Sequence, residues 1–234
     1  MTDPLEGLAF YAVFVFSVTI HEAAHAWAAM RGGDLTAYNG GQVSLDPLPH
    51  MKREPFGMVV LPILSVVVSG FPIGYASAPF DPSWAARHPR RAAWMALAGP
   101  GSNLALTLVA FAAIRIGASM EHFMAPDSIG FRQVTAAVGD GSSLAAAVAF
   151  LLSIFFSMNL LLFVLNMLPV PPLDGSGALP LLLPDRLVES YRTLFQQPIV
   201  AIVGLLLVWN FAGEIFRPCF FFAVQLLYPG IAYE

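Results

Sequence analysis

Residues 19–29 read TIHEAAHAWAA, and the run that contains them decides the fold. Between positions 8 and 30 the only Asp, Glu, His, Lys or Arg side chains are His21, Glu22 and His25. Crossing the hydrocarbon core of a bilayer takes about 20 apolar residues. Residues 8–31 therefore read as one membrane-crossing helix, stopped by Arg31-Gly32-Gly33-Asp34. HEAAH also fits H-E-x-x-H, a pattern that soluble zinc peptidases carry on a helix. On an α-helix, residues i and i+4 share a face, so His21 and His25 can offer two imidazoles to one cation. Glu22 then stands beside that position without occupying it. The plain alternative is two core histidines and a buried glutamate. Intramembrane ionisable groups cost about 2.5–3.5 kcal/mol each, and three within five residues at ligand spacing weigh against chance.

The rest of the composition agrees with a membrane setting. Of 234 residues, 57% are hydrophobic and 11% charged, against about 25% charged in a soluble domain. No polar stretch is long enough for a separate folded unit, so residues 1–234 read as a single membrane-embedded domain. The net charge of -4 and the absence of a basic run exclude nucleic acid as an expected partner. Cys219 is the single cysteine, which leaves no internal disulfide and no thiolate metal cluster. The N-terminal MTDPLEG has no positive region of the signal-peptide kind, so the first helix is expected to stay attached.

Outward from the first helix, residues 35–55 are polar, and Asn39-Gly40-Gly41 with the alternation around residues 42–45 predicts a short strand or hairpin at 38–46. Residues 56–76 are apolar but broken by Pro62, Gly70, Pro72 and Gly74. Residues 92–116 and 144–168 are clean spans, the second leading into Pro169, Pro171 and Pro172. Residues 177–197 have room for a short interfacial helix. Residues 198–229 read as two short apolar segments, with Glu214 and Arg217 between them. If 56–76 crosses fully, the Lys and Arg residues other than Arg217 divide five against five between the two sides. If it enters and leaves on one face, Arg31, Lys52, Arg53, Arg87, Arg90, Arg91, Arg186 and Arg192 lie together, with only Arg115 and Arg132 opposite. The positive-inside rule favours the second arrangement. The expected fold is thus an all-α polytopic membrane protein of about five to six membrane segments, including a re-entrant hairpin.

A catalytic zinc has three protein ligands and one open position, and no further His or Glu follows HEAAH at close spacing. Asp174, in NMLPVPPLDG (residues 166–175), is the strongest candidate, because three prolines unwind the chain where its carboxylate sits. An ordinary Asp-Gly surface turn explains the same residues equally well. Asn103, in AGPGSN, and Asn166 could each bond a substrate backbone or a developing oxyanion. Either could instead make the interhelical hydrogen bond usual for Asn in such helices. His50, His88 and His122 stand at no ligand spacing, and Asp34, Asp46 and Asp81 read as turn or cap residues.

HEAAH on the first helix, AGPGSN opening a central helix and NMLPVPPLDG ending another resemble, in that order, the site-2 protease family of intramembrane zinc metalloproteases. GGDLTAYNGGQVSLDPLPHM and ARHPRRAAWMALAGPGSNL resemble its compact prokaryotic branch without PDZ or nucleotide-binding domains. The resemblance covers about residues 8–185. It implies one zinc ion held by His21, His25 and Asp174, a water activated by Glu22, and a substrate-positioning role for Asn166. It maps Asn103 onto the family's G-P-x-x-N motif. It also implies a transmembrane protein substrate within membrane lipid, and a place in a prokaryotic cell membrane.

The expected function is zinc-dependent intramembrane proteolysis. A membrane metal transporter or sensor using the same ligands, and an inactive module that binds membrane proteins, are the alternatives; neither needs a dedicated base at Glu22. An extended substrate could pair with an edge at residues 42–45. His25 lies six residues before Arg31, so the motif sits about 9–15 Å from the charged, expectedly cytoplasmic end of its helix.

Overall fold

Helix α1 (Pro4–Gly32) begins where the Asp3 side chain accepts from the Leu5 N–H and Pro4 supplies a preset first turn. It ends at Gly33, whose φ of 98° is left-handed and whose N–H reaches back to Ala29 and Met30. The computed structural model describes residues 3–139, 143–195, 197–231 and 233. α1 packs against the two other central helices, α6 (Pro89–Ser119) and α7 (Ser143–Asn166). Between them lie the short helices α2 (Thr36–Asn39) and α3 (Pro47–Arg53), a π-turn at Phe56–Val60 running into α4 (Leu61–Ser69), and α5 (Pro82–Arg87). After α7 come α8 (Asp174–Ala178), α9 (Asp185–Phe195) and α10 (Pro198–Leu227).

Phe10, Phe14 and Val18 of α1 meet Met58, Ile154 and Met158 in one buried cluster. Ala110 and Ile114 of α6 meet Phe156 and Leu160 of α7 and Phe220 and Val224 of α10 in another. Trp84 of α5 closes a third with Ala29 and Met95, and its Nε1 donates to the Gly32 carbonyl at 3.1 Å. That bond pins α5 to the end of α1, and Arg91 Nη1 near the start of α6 donates to the same carbonyl at 3.2 Å.

Among the described residues four helices are long and apolar enough to cross a membrane: Pro4–Gly32, Pro89–Ser119, Leu144–Asn166 and Pro198–Leu227. The chain is a membrane protein with a mostly helical fold. A fifth apolar helix, Phe56–Ser69, is too short to cross alone. After Gly70 the chain doubles back along it in extended form: Ile73 N donates to Ser65 Oγ at 2.7 Å and Tyr75 N to the Gly57 carbonyl at 3.1 Å. The feet of this hairpin meet, because Ser77 Oγ donates to Glu54 and Arg53 Nε to the Ser77 carbonyl.

Two expectations change. The strand predicted at 38–46 is absent. Gly41 has a φ of 72°, Gln42 N donates to the Ala37 carbonyl and Gly41 N to that of Tyr38, so Asn39-Gly40-Gly41 closes a helical turn. Among the described residues the paired strands are instead β1 (Phe123–Met124) and β2 (Ala136–Ala137). The two short C-terminal segments are one helix, α10, which runs through Glu214 and Arg217. Pro218 removes only the backbone bond to the Glu214 carbonyl and does not stop it.

Candidate metal centre

His21 and His25 stand one turn apart on α1, and the bonds made by their Nδ1 atoms decide where Nε2 points. His25 Nδ1 donates to the Met95 carbonyl of α6 at 2.7 Å, and His21 Nδ1 donates to Asn103 Oδ1 at 2.6 Å. In the neutral imidazoles this leaves both Nε2 atoms as lone-pair acceptors. They lie 3.0 Å from each other. Asp174 Oδ2 comes to 3.0 Å from His21 Nε2 and 3.2 Å from His25 Nε2. Three ligand-capable atoms thus converge in a place where both histidines are buried.

A cation suits that convergence, and zinc fits the donor set. Zn–N and Zn–O bonds of about 2.0–2.1 Å put two ligands of a tetrahedral ion about 3.3 Å apart. His21, His25 and Asp174 form the metal-capable group found among the described residues.

Asp174 reaches the centre from the opposite side through α8. The proline-broken segment before it is closed by Gly175, where a Cβ would lie 2.4 Å from the carbonyl oxygens of both Met167 and Leu168. Close backbone approach, not a left-handed turn, is what requires glycine there. Gly99 of α6 has a similar function toward the imidazoles. A Cβ at Gly99 would fall 2.2 Å from His25 Nε2 and 2.6 Å from His21 Nε2.

Glu22 is buried beside this group, and its Oε2 has no hydrogen-bond partner. Glu22, His25 and Asp174 share one wall of a cavity of about 700 Å³. Ala76, Ser77, Ala78 and Phe80 of the returning arm of the hairpin line it too, as do Tyr191 and Phe195 of α9. The Tyr191 hydroxyl donates to the Ser176 carbonyl, and burial pushes its phenol up to about 12, so it remains a neutral donor at physiological pH.

The model of peptidase family M50 matches residues 9–210. The chain belongs to peptidase family M50. Over 163 residues it is 32% identical to "Putative zinc metalloprotease YwhC" of Bacillus subtilis, an alignment covering 69% of this chain and 63% of that protein. It is 31% identical over 214 residues to "Putative zinc metalloprotease Rip2" of Mycobacterium tuberculosis, covering 88% and 71%. The Rip2 of Mycolicibacterium smegmatis is 28% identical over 187 residues, covering 76% and 61%. The chain thus spans about two thirds of the length of these relatives. No solved structure matches it.

Within this M50 chain the predicted site residues separate. His21, His25, Glu22 and Asp174 lie at the centre. Asn103 is there too, but not free to bind substrate: it is fully buried, and while Oδ1 holds His21, Nδ2 donates to Asn159 Oδ1 at 2.9 Å. Asn166 stays apart; its Nδ2 donates to the Leu162 carbonyl of its own helix at 3.0 Å, and it does not line the cavity.

Asn159 is the residue that the sequence reading missed, and its signal was an amide two turns before Asn166 inside an apolar span. Its own Nδ2 donates to the Phe155 carbonyl at 2.9 Å. One directed chain therefore runs from that carbonyl through Asn159 and Asn103 to the His21 imidazole. Partners of this kind fix ligand orientation, and their loss typically weakens metal binding about 10–100-fold. Asn159→Ala is expected to weaken zinc binding by that factor in a chelator-competition titration. Asn159→Asp, which keeps an acceptor for Asn103, should lose less; unchanged affinity in both variants would refute the relay.

Proposed function

We propose that this chain is a zinc-dependent intramembrane endopeptidase that cleaves peptide bonds in or near transmembrane segments of other membrane proteins. The observation that carries the reading is the convergence of three acceptors, His21 Nε2, His25 Nε2 and Asp174 Oδ2, beside an unpartnered Glu22, at a cavity that Glu22, His25 and Asp174 line. The family membership and the zinc metalloprotease names of the relatives support it.

One zinc ion, when bound, supplies a Lewis acid that polarises a carbonyl and lowers the pKa of water toward about 7. His21 and His25 present their Nε2 lone pairs, held by Asn103 and the Met95 carbonyl. Glu22 takes a proton from the attacking water on its carboxylate and can return it to the leaving nitrogen. Asp174 balances positive charge at the site. The cavity admits an extended peptide, which requires local unwinding of a substrate helix, since helical carbonyls are hydrogen-bonded within the helix. The meeting feet of the 56–76 hairpin support a re-entrant segment and the charge asymmetry that follows from it. On that topology the site lies nearer the cytoplasmic face of a prokaryotic cell membrane.

The test is hydrolysis of a detergent-solubilised membrane-protein substrate by the full chain. Cleavage that stops on chelation and returns with zinc alone supports the reading. Cleavage that continues in the metal-free protein excludes it. Zinc bound in vesicles and moved across them without any hydrolysis would point to the transporter instead.

A further inference from the structure

Helix α10 is long and apolar enough to cross a membrane, yet only 6% of its most apolar window is buried against the rest of the chain. On its open side Val203, Leu206, Asn210, Gly213 and Arg217 recur at alternating spacings of three and four, with Glu214 beside them. All six are exposed. That period is the seam of parallel helices packed side by side. Glu214 lies 16 residues from Pro198 and 13 from Leu227, about 24 and 20 Å along the axis. The two charged residues therefore sit near the middle of the span, where ionisable groups are costly unless paired.

Within this chain they are not paired with each other. Among the described residues Glu214 has no ion pair or hydrogen bond from its side chain, and Arg217 has only the Phe221 ring, 5.6 Å from its guanidinium carbon. The Asn210 amide turns back to the Leu206 carbonyl of its own helix. A Cβ added at Gly213 would meet no heavy atom within 4 Å, so the backbone there is open to close approach.

We infer that this stripe is the interface of a parallel dimer, with α10 of a second copy of this chain as its occupant. Two copies in one membrane share the same orientation, so a two-fold axis along the membrane normal places α10 beside α10. Glu214 and Arg217 are offset by three residues, about 4.5 Å along the axis, within reach of two long side chains. Each Glu214 then meets Arg217 of the partner subunit, twice over, as a self-complementary interface requires. Asn210 faces Asn210 of the partner subunit across the seam, a pairing that favours two strands and fixes register. Both signs of charge on one face, one turn apart, favour a second copy over a partner of a single charge. The centre of the stripe belongs neither to the metal site nor to its cavity.

The test uses charge exchange on the full chain, labelled at its N-terminus with donor or acceptor dyes and reconstituted into phosphatidylcholine–phosphatidylglycerol vesicles. Wild type should show energy transfer that titrates with protein-to-lipid ratio as a dimer. Glu214→Arg alone and Arg217→Glu alone place like charges opposite one another, and each should weaken association about tenfold or more. Mixed together they restore both ion pairs, and transfer should return to near the wild-type level, which also shows that both variants are folded. Where a charge reversal fails to insert, Asn210→Leu and Glu214→Gln serve in its place and should weaken association about threefold. Wild type that stays monomeric at every ratio overturns the proposal, as it would if this face served a different membrane protein. Single variants that associate like wild type, or a mixture of folded variants that does not regain transfer, also overturn it.

Discussion

Glu22→Gln keeps its metal and loses hydrolysis by about 10²–10⁴-fold, the range expected for removing a positioned general base. Glu22 is buried on the cavity wall beside His25 and Asp174, but it is not one of the three converging acceptors. Its Oε2 is buried and has no hydrogen-bond partner. Glutamine keeps the shape and cannot take the proton, so the metal ligands and their supports stay intact. The measurement is paired: zinc content by metal analysis and turnover on the same preparation. Zinc lost together with activity would make Glu22 a ligand instead of a base. Full activity with zinc retained would remove Glu22 from the mechanism.

Gly99→Ala is expected to abolish metal binding while improving the local helix. Alanine is the better helix former by about 0.8–1.0 kcal/mol, so propensity alone predicts a harmless or stabilising change. The added methyl would lie 2.2 Å from His25 Nε2 and 2.6 Å from His21 Nε2. Neither ring can step aside freely, because each is held through Nδ1 by Met95 or Asn103. Zinc affinity should fall at least about 100-fold, the upper end of what disturbing a ligand's support costs, with helix content unchanged by circular dichroism. Gly101→Ala, two residues on and with no atom within 4 Å of the added carbon, is the control and should bind zinc as wild type does. Normal zinc binding in Gly99→Ala would mean that the two imidazoles do not point where the structure puts them.

The sequence reading reached His21, Glu22 and His25 because ligand spacing on a helix is local: the period of 3.6 residues alone puts the two histidines on one face. Asp174 was a different matter. Nothing local distinguishes a metal-binding Asp-Gly from a surface turn, and only the packing of α8 against α6 brings its carboxylate to the Nε2 atoms of α1. A glycine in an apolar helix carries no local sign of what it faces, and the neighbours of Gly99 are two imidazoles. Asn103 was open to a substrate contact or an interhelical bond, and the fold spends both ends of its amide on His21 of α1 and Asn159 of α7. Asn159 itself was hidden by averaging, since one amide barely changes the hydropathy of a long apolar run.

The misread elements share a cause. Asn39-Gly40-Gly41 serves a hairpin or a helix stop equally well, and the choice depended on whether α2 formed before it. Glu214 and Arg217 looked like a connection because charges usually leave the membrane. Without a stop signal at Gly213 the helix continues and carries them to mid-span, where they become the most informative feature of the C-terminal region.

The central claim is that His21, His25 and Asp174 together hold zinc. X-ray absorption at the zinc edge of the purified full chain tests it most directly. The account predicts a four-coordinate shell of nitrogen and oxygen at about 2.0–2.1 Å with the outer scattering of two imidazoles. A sulfur shell at about 2.3 Å, which only Cys219 or a methionine could supply, or a six-coordinate site of oxygens without imidazole, would contradict it.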